Sequence, residues 1–268
     1  MSYNIDEIIK NDEINNYYIN FDLGNPVSLL INKSNRKKDK IIFIDNVDDD
    51  NVIKYESICA NKNEYCRIIP NIIDKNQIAY ICAPHQSGKS TFVSSFVDYY
   101  IKLYPKKRVF LFSNLKEDES LDVYKKIKRV NIEKFFSSDN EIDLDKFKNS
   151  LIIYDDILDS THDKVLNKKI MNLCNNMLFN GAHYKIYLLI TNHQISDYKK
   201  TRDILHECNS ITIFPRSGSS YQIERVLKLY FGLDDQQIKK IMNLNSRYVT
   251  IFKTTPQYIF HRKGVYLI

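Results

Sequence analysis

The stretch Gln77-Ile78-Ala79-Tyr80-Ile81-Cys82-Ala83-Pro84-His85-Gln86-Ser87-Gly88-Lys89-Ser90-Thr91 sets the terms for the rest of the chain. It opens as an apolar run ending at Cys82, passes through a loop of small residues and continues as Gly-Lys-Ser-Thr. Phe92, Val93, Phe96, Val97 and Tyr100 then recur with helical spacing. A strand feeding a phosphate loop that opens a helix is the context in which so short a motif points to a nucleotide site. Backbone N–H groups of such a loop and of the helix N-terminus face a polyphosphate. Lys89 reaches the β- and γ-phosphates of ATP, and the Ser90 hydroxyl serves Mg²⁺. The expected nucleotide-contacting residues are Ala83, Pro84, His85, Gln86, Ser87, Gly88, Lys89, Ser90 and Thr91. The strict pattern has glycine where this chain has Ala83, a change that costs little unless the position needs positive φ. The bland alternative is a chance Gly-Lys-Ser at a helix start, and the flanking strand and helix speak against it.

Downstream the chain alternates. Strands are expected over residues 78–82, 108–112, 151–154, 186–190 and 210–214, and helices over 88–104, 121–128, 162–179 and 196–207. Asn180-Gly181 reads as a helix C-cap. Continuous apolar runs between helices mean strands buried on both faces, hence an α/β fold with a mostly parallel sheet flanked by helices. Helices at 219–230 and 234–243 follow, and residues 247–252 and 257–260 alternate as a C-terminal β-hairpin. Residues 1–62 read as a small N-terminal appendage to a main domain at 63–268. Within it Ile5, Ile8 and Ile9 suit a short amphipathic helix, Asn25-Pro26 and residues 32–40 read as turns, and residues 41–45 form a strand ended by the acidic turn at 48–50.

Two further pieces belong with the phosphate loop. Leu151-Ile152-Ile153-Tyr154 runs straight into Asp155-Asp156. An apolar strand of this kind delivers Asp155 to Mg²⁺, and Asp156 stands where a carboxylate polarises the attacking water. Many motor ATPases use Glu at that position, and Asp is one methylene shorter. The alternative is a pair of capping aspartates. Thr191-Asn192-His193-Gln194 follows the next apolar strand and, in a parallel sheet, emerges at the same edge as Ala83 and Asp155. Asn192 or Gln194 can contact the γ-phosphate or its water; the alternative is a polar turn with a cap. His85 and His193 lack metal-ligand spacing and read as loop residues. An ATPase working between subunits also needs an arginine near its neighbour's γ-phosphate. Arg202, Arg216, Arg225 and Arg247 are the candidates, with Arg216, beyond a strand end, the first choice. Each also reads as an ordinary surface arginine.

Charge and cysteine usage narrow the classes. The formal net charge is +6, with basic pieces at 36–38, 106–108, 125–129 and 168–169. This balance suits a polyanionic partner without demonstrating one, and each piece alone reads rather as a solvated face of a helix or turn. The longest apolar runs, 151–154 and 186–190, are too short to cross a bilayer, and the polar, acidic start is unlike a secretory signal. Five scattered cysteines without CxxC spacing point to a reducing compartment, with no disulfide framework and no zinc site.

The phosphate loop, the Asp-Asp strand preceded by Leu144-Asp145-Lys146-Phe147-Lys148-Asn149-Ser150, the Thr-Asn-His-Gln segment and the tail from Ile223-Glu224-Arg225-Val226 to Pro256-Gln257-Tyr258-Ile259 together carry a resemblance. Over residues 68–268 the chain resembles the genome-packaging ATPases of large double-stranded DNA viruses, of the poxvirus type with relatives in virophages, within the FtsK–HerA group of P-loop NTPases. The resemblance implies a homo-oligomeric ring around duplex DNA, ATP hydrolysis driving DNA into a preformed capsid, and capsid or portal-vertex partners. It implies location in the virion or a cytoplasmic viral factory. Carried over, Lys89 and Ser90 serve phosphate and Mg²⁺, Asp155 supports the metal, Asp156 stands at the catalytic carboxylate and Gln194 at the polar sensor. Ala83 and Asp156 depart from the pattern. Two other classes stay open: a P-loop nucleotide or small-molecule kinase, which needs an arginine-rich lid not evident here, and a non-motor nucleotide-binding assembly protein.

Overall fold

In the computed structural model, residues 17–46, 51–70, 77–137, 142–157, 163–197 and 200–268 are described. The chain divides into two units, residues 1–69 with 252–268 and residues 70–251. The expected helix around Ile5, Ile8 and Ile9 and the expected acidic turn at 48–50 lie outside the described residues.

The N-terminal part of the first unit contains β1 (Tyr18–Asn20), β2 (Asn25–Asn32), β3 (Lys40–Asp45), β4 (Ser57–Cys59) and β5 (Glu64–Ile68). Four of them form a sheet in the order β1-β3-β2-β5, antiparallel throughout, over the buried side chains of Ile19, Val27, Leu30, Ile31, Ile42, Ile44 and Cys66. Asn25-Pro26, expected in a turn, open β2 instead and pair with Ile44 and Phe43. Gly24 makes the turn at φ 109, and a Cβ there would lie 2.5 Å from the Ile44 carbonyl oxygen. Residues 33–39 do form the expected turn, with a short 3-10 segment at Arg36–Lys38.

The second unit carries the alternation read from the sequence. Its elements are β6 (Ile78–Cys82), α1 (Lys89–Leu103), β7 (Arg108–Ser113), β8 (Ile127–Arg129), α2 (Ile132–Phe135), β9 (Ser150–Asp155), α3 (Lys164–Asn180), β10 (Tyr187–Asn192), α4 (Arg202–Glu207), β11 (Ser210–Ile213), α5 (Ser220–Phe231), α6 (Asp235–Asn243) and β12 (Val249–Phe252). The strands are ordered β12-β11-β6-β10-β9-β7-β8, and the six from β11 to β8 run parallel. Every residue of β6, β9 and β11 is buried, as two covered faces require. α1 turns Phe92, Val93, Phe96, Val97 and Tyr100 inward and ends two residues before Pro105. This is the expected α/β architecture.

Two helices are corrected. Residues 121–128, expected to be helical, make turns and then β8. The Asp118 carboxylate accepts the N–H groups of Ser120 and Leu121, which commits them to a turn, and the edge of β7 takes Ile127–Arg129 as a parallel strand. The helix expected over 196–207 contracts to α4, because Asp197 and Thr201 bond each other in a turn ahead of it. α3 ends at the expected place, but Gly181 is right-handed at φ −58 and Lys185 takes the left-handed position.

The chain then returns to the first unit with β13 (Tyr258–His261) and β14 (Gly264–Leu267), an antiparallel hairpin whose second strand pairs with β4. Phe252 stacks on Tyr258 at 4.3 Å between ring centroids. Strands form at both segments of the expected hairpin, and β14 lies beyond the expected pair. No helix among the described residues is long and apolar enough to cross a membrane.

Candidate active site

The register of the parallel strands brings the chemistry to one edge. Thr191 of β10 pairs with Asp155 of β9 on one side and with Ile81 of β6 on the other, and Asp155 also faces Ser113 of β7. The carboxyl ends of β6, β9 and β10 therefore end level. The loop 83–88 leaves β6 there, Asp156 follows β9 and His193 follows β10. This is the edge at which open parallel sheets bind ligands.

Between β6 and α1 the backbone takes left-handed conformations at Gln86, φ 60, and at Gly88, φ 104, the residue that caps α1. Alternating conformations of this kind make the backbone concavities that hold anions. Ser87 is buried and its hydroxyl donates to the Pro84 carbonyl at 2.8 Å, which holds the loop to itself. Ala83 donates its N–H to the Asn192 carbonyl at 3.1 Å, tying the loop to the end of β10. Its φ is not positive, so alanine serves at this position. His85, Gln86, Ser90 and Thr91 are exposed at the mouth of the loop.

Lys89 is only 7% exposed. Its ammonium donates to Asp156 Oδ1 at 2.7 Å and lies 3.1 Å from His193 Nδ1. His193 Nε2 is 3.1 Å from Asp156 Oδ2, so lysine, carboxylate and imidazole close a triangle. Burial pushes the His193 pKa below its usual value against the opposing pull of Asp156. A neutral ring fits both contacts, with Nδ1 accepting from Lys89 and Nε2–H donating to Asp156. The His193 ring also lies 3.6 Å from that of His85, which brings both histidines, expected as loop residues, beside Lys89 and Asp156.

Asp155 is 9% exposed. Burial, helped by the neighbouring Asp156 carboxylate, raises its pKa. The Thr191 hydroxyl lies 2.9 Å from Asp155 Oδ1 and 3.3 Å from Asp156 Oδ1, and accepts the Asp156 N–H at 3.1 Å. Asp156 has φ 48, a conformation in which Asp is better tolerated than most residues. Two adjacent carboxylates, one of them buried, beside hydroxyl oxygens form a hard-oxygen donor set that suits Mg²⁺. Ser90, at the second residue of α1, is at the same edge.

The other expected residues are placed as follows. Asn192 turns its side-chain oxygen to the N–H groups of His193 and Gln194, at 2.7 and 3.4 Å. Gln194 is exposed, and its backbone carbonyl accepts from the Tyr80 hydroxyl at 2.6 Å. Arg216 is exposed and donates to Asn245 Oδ1 at 3.0 Å, Arg202 opens α4, and Arg225 lies on the exposed side of α5. Arg247 bonds the phosphate loop: its Nε donates to the Ser87 carbonyl at 2.6 Å. Thr191 and His193 are the site residues that sequence reasoning left without a role. Their signal was present in the polar run that ends β10.

No known family profile matches the chain. The uncharacterized protein V3 of Sputnik virophage is 38% identical over 194 residues, covering 70% of this chain and 76% of V3. Among solved structures the chain is similar to the DNA-packaging ATPase B204 of Sulfolobus turreted icosahedral virus, with 14% identity, TM-score 0.49, and 71% of this chain and 98% of B204 covered. It is similar to the genome packaging NTPase B204 of Sulfolobus turreted icosahedral virus 2 bound to AMPPCP, with 12% identity, TM-score 0.47 and coverage of 70% and 97%. A third similar structure is the cytoplasmic domain of the type VII secretion ATPase EccC of Thermomonospora curvata, with 11% identity, TM-score 0.46 and coverage of 89% and 28%.

Proposed function

This chain belongs to the protein family of Sputnik virophage V3, and on that footing we propose that it is an ATP-hydrolysing motor that packages a viral double-stranded DNA genome into a preformed capsid. The observation that carries the ATPase half is the triangle of Lys89, Asp156 and His193 at the mouth of the phosphate loop. In the catalytic cycle Lys89 binds the β- and γ-phosphates, which frees Asp156 to orient the attacking water. His193, bonded to the far oxygen of Asp156, fixes the carboxylate and makes up for the reach it lacks relative to glutamate. Thr191 holds both carboxylates to β10. Ser90 and Asp155 would hold Mg²⁺, which neutralises charge on the phosphates when bound. Asn192 and Gln194 stand at the γ-phosphate side, and Arg216 is the candidate to reach a neighbouring subunit in a ring.

The DNA half is supported by charge placement. At the opposite edge of the same sheet, where β7, β8, β9 and β10 begin, lie Lys106, Lys107, Arg108, Lys126, Lys148 and Lys185. Arg108 donates to the Lys148 carbonyl at 3.0 Å, Lys126 donates to the Pro105 carbonyl, and the Asn149 N–H donates to the Tyr184 carbonyl beside Lys185. These bonds bring the loops together, with Asp145 3.8 Å from Lys148 among the basic side chains, and a cluster of this kind suits a phosphate backbone. On this proposal the work belongs to a viral factory or virion, and capsid or portal-vertex proteins are its proposed partners.

ATP turnover with and without long duplex DNA, across salt concentration, tests the proposal. A DNA motor is stimulated by duplex at low salt and loses the stimulation as salt rises. An assembled protein indifferent to duplex is not a DNA motor, and phosphate transfer to a nucleoside acceptor would make it a kinase. Lys89→Ala should abolish turnover with the fold intact by circular dichroism; normal turnover in that variant removes the site assignment.

A further inference from the structure

We propose that Arg247 is a nucleotide-binding residue of its own subunit, a phosphate ligand acting in cis. The inference rests on the ATPase part of the reading above and is independent of DNA.

The phosphate loop is built around this side chain. A Cβ on Gly88 would lie 2.7 Å from Arg247 Cζ, 2.8 Å from Nε and 2.9 Å from Nη2. The guanidinium thus occupies the space that the absent side chain of Gly88 leaves. Glycine at this position serves two ends, the left-handed turn into α1 and the close approach of a cation. Arg247 Nε donates to the Ser87 carbonyl at 2.6 Å across 160 residues of sequence.

The placement is held from both sides. Ser246 is buried and donates its hydroxyl to the Tyr248 carbonyl at 2.7 Å, closing a tight turn around Arg247. The Tyr248 ring meets Phe92 of α1 edge-on at 4.8 Å and lies 6.1 Å from Phe214. The residue after Arg247 is therefore packed against the helix that the phosphate loop opens, and the guanidinium is aimed by that packing.

Chemistry supplies the ligand. A planar guanidinium prefers phosphate oxygens, which it meets with two parallel N–H donors, to a single neutral carbonyl. A polyphosphate entering the loop offers those oxygens beside Gly88, and Arg247 exchanges the Ser87 carbonyl for them. An arginine anchored on its own loop is unsuited to reach into a neighbour's. The arginine required in trans is then a different one, and the exposed Arg216 keeps that role.

Titration with a fluorescent ATP analogue reads the inference directly. Arg247→Gln should weaken binding about tenfold or more, the loss expected for one charge-assisted phosphate contact. Arg247→Lys should recover part of it. Melting curves of each variant separate lost binding from lost fold; Arg247 is exposed, so the fold should hold. Mixing Lys89→Ala with Arg247→Gln protein then separates cis from trans. In cis every subunit of the mixture is defective and no turnover returns. Turnover regained on mixing would place Arg247 in trans and overturn the proposal, as would unaltered affinity in Arg247→Gln. A wild-type protein that binds no ATP analogue would sink the ATPase reading and this inference with it, whereas an active wild type matched by Arg247→Gln sinks this inference alone.

Discussion

His261 shows what a single buried residue can cost. It lies in β13, 3% exposed, stacked on Tyr266 at 5.4 Å, and neither ring nitrogen has a hydrogen-bond partner among the described residues. Burial lowers its pKa from 6.5 to about 4. In the unfolded chain the imidazole titrates near its ordinary value, so between these two limits the unfolded state binds more protons than the folded one. Stability is full above the unfolded pKa and falls as pH drops toward the folded one, by about 3 kcal/mol if this group acts alone. His261→Phe keeps a ring against Tyr266 and removes the titration. Its melting temperature should change little between neutral pH and about pH 4.5 relative to the wild type; equal acid sensitivity in both would assign the effect to other groups. The other residue-scale lesson is the pair Thr191 and His193. The sequence places four polar residues at the end of β10, but which of them meets Lys89 depends on how the loop turns, and the ring of His85 against His193 settles that.

Among the elements, β9 has the plainest relation between pattern and purpose. Its six residues are all buried, and its last is Asp155. Ile153 has no exposed surface and sits between β7 and β10, opposite Leu111 and Leu189. Ile153→Ala should cost about 2–5 kcal/mol in chemical denaturation. A loss well below 1 kcal/mol would mean that the sheet closes around the gap. The central strands β6, β9 and β10 were legible because each is a continuous apolar run, and the helix after the phosphate loop because its apolar side chains recur at its own period. β8 was not legible. Leu121 and Tyr124 have helical spacing, and what makes Ile127–Arg129 a strand is the edge of β7, remote in sequence. β14 was missed for a similar reason: Gly264–Leu267 finds its partners in β13 and in β4, more than 200 residues earlier. In the candidate site, the convergence of the lysine and the carboxylates on one sheet edge was legible from motif and strand. The positions of Arg247 and His193 were not, because both are fixed by packing across the fold.

At the scale of the molecule, the second unit has two chemically distinct edges on one sheet, phosphate loop and carboxylates at the carboxyl ends of the strands, lysines and arginine at the amino ends. If duplex DNA lies on the basic edge, Lys106→Glu combined with Lys148→Glu should weaken duplex binding, and the plot of log affinity against log salt should become shallower by about two. Turnover without DNA should stay as in the wild type. An unchanged salt slope would move DNA to another surface while leaving the ATPase reading untouched. The route of the chain has its own consequence. Residues 70–251 leave one unit and return to it, so the whole candidate site is encoded as a single uninterrupted passage, while its companion is written in two instalments. A premature stop at codon 252 would spare every residue of the site and still erase both strands of the β13–β14 hairpin, including the one that pairs with β4. Loss of residues 252–268 therefore strips a strand partner from residues 57–59 and leaves residues 70–251 whole.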